Sequence, residues 1–401
     1  MVPSGWEVKQ LGELSTKISD GLHSTPKYKG GTNYFFINGN NINNGKILFG
    51  ENTKTVSEEE FIKHKKDLTH RTLLLSINGT IGNLAYYKKE QVVLGKSAAY
   101  INIRNDVNLD YIYYVLDCAK TKDYFQSELT GSTIRNLSLK SIKTASILTP
   151  PLAEQAKIAQ ILSAWDTAIA TTQQCIINSQ QQKKALMQQL LTGQKRLAGF
   201  SGLLNKYLLD DLCELKKGKG LSKDKLNENG LYQCVLYGEL YTKYNEVIHQ
   251  IISRTNDADA IKSVAGDVLI PASTTTTGED LANATALLES GILLGGDINI
   301  LRPNRKLIDS IFLAYLLTHT KKQEIASRAQ GITIIHLYGK DLKDLDIVLP
   351  SLEEQQKIAA ILSSADREIA ALQQQHRHLT LEKKALMQQL LTGKRRVKVD
   401  A

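Results

Sequence analysis

The run P-P-L-A-E-Q-A-K-I-A-Q-I-L-S-A-W-D from Pro150 to Asp166 returns as P-S-L-E-E-Q-Q-K-I-A-A-I-L-S-S-A-D from Pro350 to Asp366, 200 positions later. Downstream, K-K-A-L-M-Q-Q-L-L-T-G stands identically at Lys183–Gly193 and Lys383–Gly393. Aligned without gaps, residues 150–193 and 350–393 share 26 of 44 positions. Self-similarity on this scale marks an internal duplication, and the fold must be built from two copies of one unit.

Each copy of the run predicts a long helix, over 151 to about 192 and 351 to about 392, entered from a proline and closed by Gly193 or Gly393 at the position that favours a left-handed cap. In the second, Ile358, Leu362, Ala365, Ile369, Leu372, Leu379, Leu386 and Leu390 recur at steps of three and four, with His376 and Lys383 in the two remaining seam positions. That is the heptad seam of a coiled coil. The first helix carries Ile158, Leu162, Trp165, Ile169, Ile176, Leu186 and Leu190 on the same phase, with a polar middle at Gln180–Lys184. At ~1.5 Å per residue, forty residues make a rod of ~60 Å whose stripe needs a partner, and the other copy supplies one.

Outward from the helices the halves match more faintly. Leu11, Glu13 and Leu14 answer to Leu212, Glu214 and Leu215; V-V-L-G at 92–95 answers to I-L-L-G at 292–295. Gly131, Thr133, Ile134, Leu137, Lys140 and Lys143 answer to Gly331, Thr333, Ile334, Leu337, Lys340 and Lys343. Strand-like runs (Tyr34–Ile37, Thr72–Ile77, Ala99–Ile103, Val268–Ile270, Asp297–Leu301) alternate with turns, while Leu109–Cys118 and Ile308–Thr318 have helical spacing. The expected fold is α+β: two mixed α/β globules and two long antiparallel coiled-coil helices, related by a pseudo-twofold duplication. The expected domains are 1–150, 151–197, 198–350 and 351–401. A frame kept twice around divergent inserts suits a protein whose halves read different things.

Composition narrows the class. The 401 residues are 42% hydrophobic and 23% charged, with a net charge of +9, the profile of a globular protein that tolerates a polyanionic partner. Four scattered cysteines, Cys118, Cys175, Cys213 and Cys234, offer no C-x-x-C pair, so neither a zinc knuckle nor a disulfide framework is indicated, and a reducing cytoplasm is the expected location. The longest apolar run, Ile311–Leu317, is far below the ~20 residues that span a bilayer. The charge is uneven: +5 over 1–150, +3 over 151–200, −2 over 201–350 and +3 over 351–401.

Catalytic signatures are missing. The only Pro-Pro, Thr149-Pro150-Pro151-Leu152, lacks the amide and aromatic that hold a flipped adenine, and neither a phosphate-binding G-x-x-x-x-G-K-[ST] nor an H-E-x-x-H occurs. Glu7-Val8-Lys9 and Glu382-Lys383-Lys384 fit a nuclease-like Glu-x-Lys, a string short enough to arise by chance. No catalytic residue and no metal ligand is assigned. Glu154, Gln155 and Lys157, like Glu354, Gln355 and Lys357, fall in first helical turns, where carboxylates suit the helix dipole, and the residue chemistry predicts a capped start with a solvated face.

Binding residues are assigned by type. Phosphates call for lysine and arginine, base edges for Arg, Lys, Asn or Gln on a framed loop. In the first globule the candidates are Lys27, Lys29, Asn38, Asn40, Asn41 and Arg104, with Arg135 and Asn136 in the loop G-S-T-I-R-N. In the second they are Lys216, Lys217, Lys219, Arg302, Arg305 and, in the matched loop G-I-T-I-I-H, His336. The loop frames agree while their polar tips differ. For helix pairing and partner binding the candidates are Ile158, Leu162, Trp165, Ile169, Ile358, Leu362, Ile369 and Leu372, with Gln188, Gln189, Gln388 and Gln389. Coiled-coil packing alone does not require those glutamines in both copies, so two copies of one surface imply two copies of one partner.

The pattern E-Q-x-K-I-A-x-I-L-S-x-x-D after a proline, then K-x-x-L-x-x-x-L-L-x-G, twice around 150-residue variable segments, resembles the specificity subunit of Type I restriction–modification systems, the HsdS family. G-W-E-V-K-Q-L-G-E-L near the N-terminus and G-S-T-I-R-N-L at 131–137 resemble its target recognition domains. The resemblance implies a non-catalytic DNA-reading scaffold whose two domains each bind half of a bipartite double-stranded site, with two helices acting as a ruler. It implies two methyltransferase subunits and, through the complex, restriction subunits as partners. S-adenosylmethionine, ATP and Mg then belong to those partners, and this chain binds no cofactor. Unlike some members, the chain has no short tandem repeat in the central helix, so the spacer follows from these helices directly. Two other readings stand beside this one: a single-chain restriction–modification enzyme and a purely structural coiled-coil adaptor.

Overall fold

A computed structural model describes residues 2–131 and 135–399. The chain divides into two compact units, Met1–Thr172 with Gln375–Ala401, and Gln173–Gln374. Both long helices form, Leu152–Leu190 and Leu352–Leu390, each 39 residues. Each contributes one half to each unit. Gly193 and Gly393 adopt φ of +71° and +67°, the left-handed caps expected of them.

The first unit is centred on a four-stranded antiparallel sheet in the order Ser15–Asp20, Ala98–Ile103, Thr72–Ser76, Leu84–Tyr86. Thr72–Ser76 and Ala98–Ile103 are buried at every position, which is why they read as continuous apolar runs rather than alternating ones. The helix Leu109–Asp117 starts at Asn108, whose side chain accepts a hydrogen bond from the Tyr111 N–H at 2.8 Å. It packs Tyr111, Ile112 and Leu116 into a core that also takes Ile158, Ala159 and Leu162 from the first long helix and Met387, Leu390 and Leu391 from the second.

The second unit repeats this plan with additions. Its five-stranded sheet runs Cys213–Lys217, Ile298–Pro303, Asp267–Pro271, Thr285–Leu287, Val247–Ile248, and a further four-stranded sheet joins Ser253–Thr255, Tyr232–Val235, Leu293–Leu294 and Ile261–Lys262. Helix Ser310–Tyr315 is capped by Asp309, which accepts from the Phe312 N–H at 2.9 Å. Leu190 and Leu191 from the first long helix and Ile358, Ala359 and Leu362 from the second close its core.

Within each unit the helix segments are antiparallel. In the first, Glu154 meets Arg396 and Asp166 meets Lys383; in the second, Arg196 meets Glu354 and Lys183 meets Asp366. Position numbers rise along one helix as they fall along its partner.

Candidate nucleic-acid interface

The helix starts are not the solvated surfaces that residue type alone predicts. Glu154 and Gln155 are 3% and 2% exposed, and Glu354 and Gln355 are 0% exposed. Glu154 accepts from Arg396 Nε at 2.7 Å and Nη2 at 2.8 Å, and from Trp6 Nε1 at 3.0 Å. Glu354 accepts from Arg196 Nε at 3.0 Å and from the Leu197 N–H at 3.0 Å. The Arg196 guanidinium holds the Glu354 carboxyl below its ordinary range. At Glu154 burial pushes the other way, and the hydrogen bonds from Arg396 and Trp6 outweigh it. The sequence carried a signal for these pairs: an arginine stands three residues after each capping glycine, at 196 and 396.

The glutamines join each globule to its helix. Gln155 donates to the Pro150 carbonyl at 2.8 Å and accepts from the Asn108 N–H at 2.9 Å. Gln355 does the same with Pro350 at 2.9 Å and the Asp309 N–H at 3.0 Å. Lys157 and Lys357, unlike the Glu and Gln that precede them, are exposed.

About three turns further along each helix, Asp166 accepts from Lys383 at 2.5 Å and from the Tyr114 hydroxyl at 2.8 Å, and Asp366 accepts from Tyr315 and pairs with Lys183 at 2.6 Å. Each lysine lies 5.2 Å from its tyrosine's ring centre. The second unit adds Glu246, 3.6 Å from Lys183 and 2.5 Å from His319 Nε2. Among the seam candidates Ile158, Leu162, Ile358, Leu362 and Ile369 are buried, and Trp165, Ile169 and Leu372 are half-buried. Gln188, Gln189, Gln388 and Gln389 face solvent.

The candidate DNA contacts of the first unit fall into three places. Asn38 and Asn41 close a turn: Asn38 Oδ1 accepts from Ser97 Oγ at 2.9 Å, and Asn41 Oδ1 accepts from the Asn38 N–H at 2.9 Å. Asn40 lies exposed on that turn, and Asn136 bridges to Asn78 beside it. Arg135 is exposed; the loop residues Ser132–Ile134 lie outside the described residues. Lys27 and Lys29 are exposed on a segment that bonds back to Thr55. Arg104 is paired with Asp106 at 2.9 and 3.0 Å and lines a separate cleft with Glu7, Lys9 and Gln155.

In the second unit Lys219 is paired with Asp259 at 2.8 Å, and Arg302 makes two 2.9 Å bonds to the buried Asp267. Arg305 lines a cleft beside Gly266 and Asp309. Lys216, Lys217 and His336, by contrast, share one cleft of about 250 Å³ with Asp297, Asn299, Tyr338, Lys340 and Lys343. Residue type had not singled out Tyr338 or Asn299, because nothing local places them beside the lysines.

A family model described as the Type I restriction modification DNA specificity domain matches residues 3–179 and again 204–382. The chain belongs to this family. Its two specificity-domain matches each run from the start of a globule into a long helix. Curated relatives include the putative Type I restriction enzyme MjaX specificity subunit of Methanocaldococcus jannaschii, 26% identical over 99% of this chain and 95% of that protein. The MjaVIII specificity subunit of the same organism is 25% identical over 99% and 94%. In fold, the chain resembles the S subunit of a Type I system from M. genitalium (TM-score 0.61, 16% identity, 96% of both chains). It also resembles the HsdS subunit from Thermoanaerobacter tengcongensis (TM-score 0.52, 17% identity, 98% of both chains). No helix among the described residues is long and apolar enough to cross a membrane.

Proposed function

We propose that this member of the specificity-domain family is the non-catalytic, sequence-reading subunit of a cytoplasmic Type I restriction–modification complex. Each globule, 1–150 and 198–350, reads one half of a bipartite site in double-stranded DNA. The long helices set the spacer between the halves. They also present the two copies of Lys183–Gly193 and Lys383–Gly393, with exposed Gln188, Gln189, Gln388 and Gln389, to two methyltransferase subunits. Restriction subunits join through that assembly, and S-adenosylmethionine, ATP and Mg are held by the partners.

The observation that carries this reading is the twofold family match around divergent inserts: the frame that holds a partner is kept, and the parts that meet different bases vary. Footprinting of the chain bound to its methyltransferase tests it. Two short protected blocks with an unprotected spacer are expected, and one continuous block overturns the reading. Incubation of the purified chain with DNA and labelled S-adenosylmethionine is expected to transfer no methyl group.

A further inference from the structure

The cleft in the second unit resolves a difficulty in the charge distribution. Residues 201–350 carry a net −2, a poor balance for gripping a polyanion. Several of their cations are already engaged: Lys219 with Asp259, Lys225 with Asp257, Arg302 with Asp267 and Arg328 with Asp344. Around His336, however, Lys216, Lys217, Lys340 and Lys343 line one concavity against a single lining carboxylate, Asp297, which lies 3.9 Å from Lys217. Lys216 is 3.1 Å from Glu214, and Lys343 is 3.1 Å from Asp210. Lys340 is in no ion pair among the described residues; its ammonium sits 5.6 Å from the Tyr338 ring centre.

The duplication says which of these residues are frame and which are variable. Lys340 and Lys343 have counterparts in Lys140 and Lys143. The facing strand does not: Lys216 and Lys217 pair with Ile300 and Asn299, and the strand register equates them with Ser19 and Asp20, which pair with Tyr100 and Ala99, correcting the match of Leu14 to Leu215 that the sequence suggested. His336 replaces Asn136, and Tyr338 replaces Ser138.

The last exchange works against stability. Ser138 caps its helix by accepting from the Ser141 N–H at 3.0 Å, a role a tyrosine side chain cannot take over. In the second unit the duty is inverted, with the Tyr338 N–H donating to Asp341 at 3.3 Å. That leaves Tyr338 46% exposed, with its ring stacked on His336, 6.1 Å between centres and 18° between planes. The turn before it leaves Ile332 fully exposed. An exposed aromatic shelf rimmed by lysines, installed where a cap was given up, serves a partner rather than the core.

We propose that this cleft is where the second globule holds duplex DNA. Lys216, Lys217 and Lys340 take backbone phosphate, and His336 and Tyr338 face the adjoining base pair and determine which sequence this half accepts. The proposal rests on the reading of the chain as DNA-binding. It makes positions 136 and 138 of the first globule the matching determinants there, where small neutral side chains stand.

Two measurements on the complex with its methyltransferase test this. Binding of a mixed-sequence duplex is followed against salt for the wild type, the triple variant K216A/K217A/K340A and the control K262A, an exposed lysine outside the cleft. The triple variant is expected to bind roughly tenfold more weakly or worse, with a salt slope shallower by about 3, while K262A follows the wild type. In the second measurement H336N/Y338S, which carries the first globule's identities, is expressed in cells and the modified sequence is mapped. One half of the target is expected to change and the other to persist, with the melting temperature unchanged or raised. An unaltered slope in the triple variant, or an unaltered target in H336N/Y338S, overturns the proposal. Failure of the wild type to bind any duplex overturns the underlying reading instead.

Discussion

Glu154 lies 3% exposed and takes both of its short bonds from the guanidinium of Arg396, 242 positions further along the chain. The same bond joins Glu354 to Arg196, 158 positions earlier. Each repeat's final turn therefore secures the helix start of the other repeat. Each of the two cores takes residues from both copies.

This interlock predicts an asymmetry between single substitutions. Arg196→Ala strands a carboxylate at a site with 0% exposure, which is far more costly than losing the pair as a whole. Thermal unfolding is expected to show a large drop in melting temperature for R196A and partial recovery in R196A/E354Q. Equal destabilisation of the single and double variants would mean that the pair is not desolvated.

The same carboxylate predicts an acid limit. Glu354 titrates below its ordinary value of 4.5 because Arg196 bonds its charged form. Its contribution to stability is therefore complete above pH 4.5 and is lost as pH falls through the depressed value in the folded protein. R196A is expected to unfold at a higher pH than the wild type in an acid titration followed by circular dichroism.

The seam lysines are expected to differ although their sequences are identical. Lys383 faces one carboxylate, Asp166, which is 44% exposed; Lys183 faces Asp366 at 22% and also Glu246 at 10%. K183M removes the cation from two shielded carboxylates, leaving Glu246 its contact with His319 and Asp366 its bond from Tyr315, whereas K383M removes it from one wetter carboxylate that keeps its bond from Tyr114. Differential scanning calorimetry is expected to show the greater loss for K183M, and the reverse order would contradict the added role of Glu246.

Along the helices the cost of truncation should follow depth. Leu362→Ala removes a side chain with 0% exposure from the second unit's core and is expected to cost about 2–5 kcal/mol. Leu379, on the same seam but half-buried, is expected to cost less than half as much. Chemical denaturation of the two variants checks the ranking.

Exchange of residues 1–150 for the equivalent segment of another family member is expected to alter one half of the modified sequence and leave the other. Movement of both halves would show that the two globules do not read independently.

Much of this architecture was legible in the residues. Heptad spacing located both long helices, Gly193 and Gly393 marked their ends, and helical spacing located the short helix that follows Asn108. Each of these depends on a few neighbouring residues. The helix starts were misjudged because Glu and Gln in a first turn normally face water, and only a guanidinium arriving from the other repeat makes their burial tolerable. Lys216 and Arg302 look alike as surface cations. Lys216, paired with the exposed Glu214, borders an open cleft, and Arg302 is spent on the buried Asp267, a distinction that depends on strand pairing rather than on composition.

The amino-acid sequence by itself determined the duplication, the two long helices and their apolar phase, since periodicity and repetition are properties of the linear chain. Tertiary structure alone decided that Arg396 belongs to Glu154, that Lys183 meets Glu246 while Lys383 meets no counterpart of it among the described residues, and that His336 and Tyr338 stand among lysines. Those outcomes depend on charges and rings brought together from positions far apart. Their energies come from desolvation and geometry, which no local pattern of residues records.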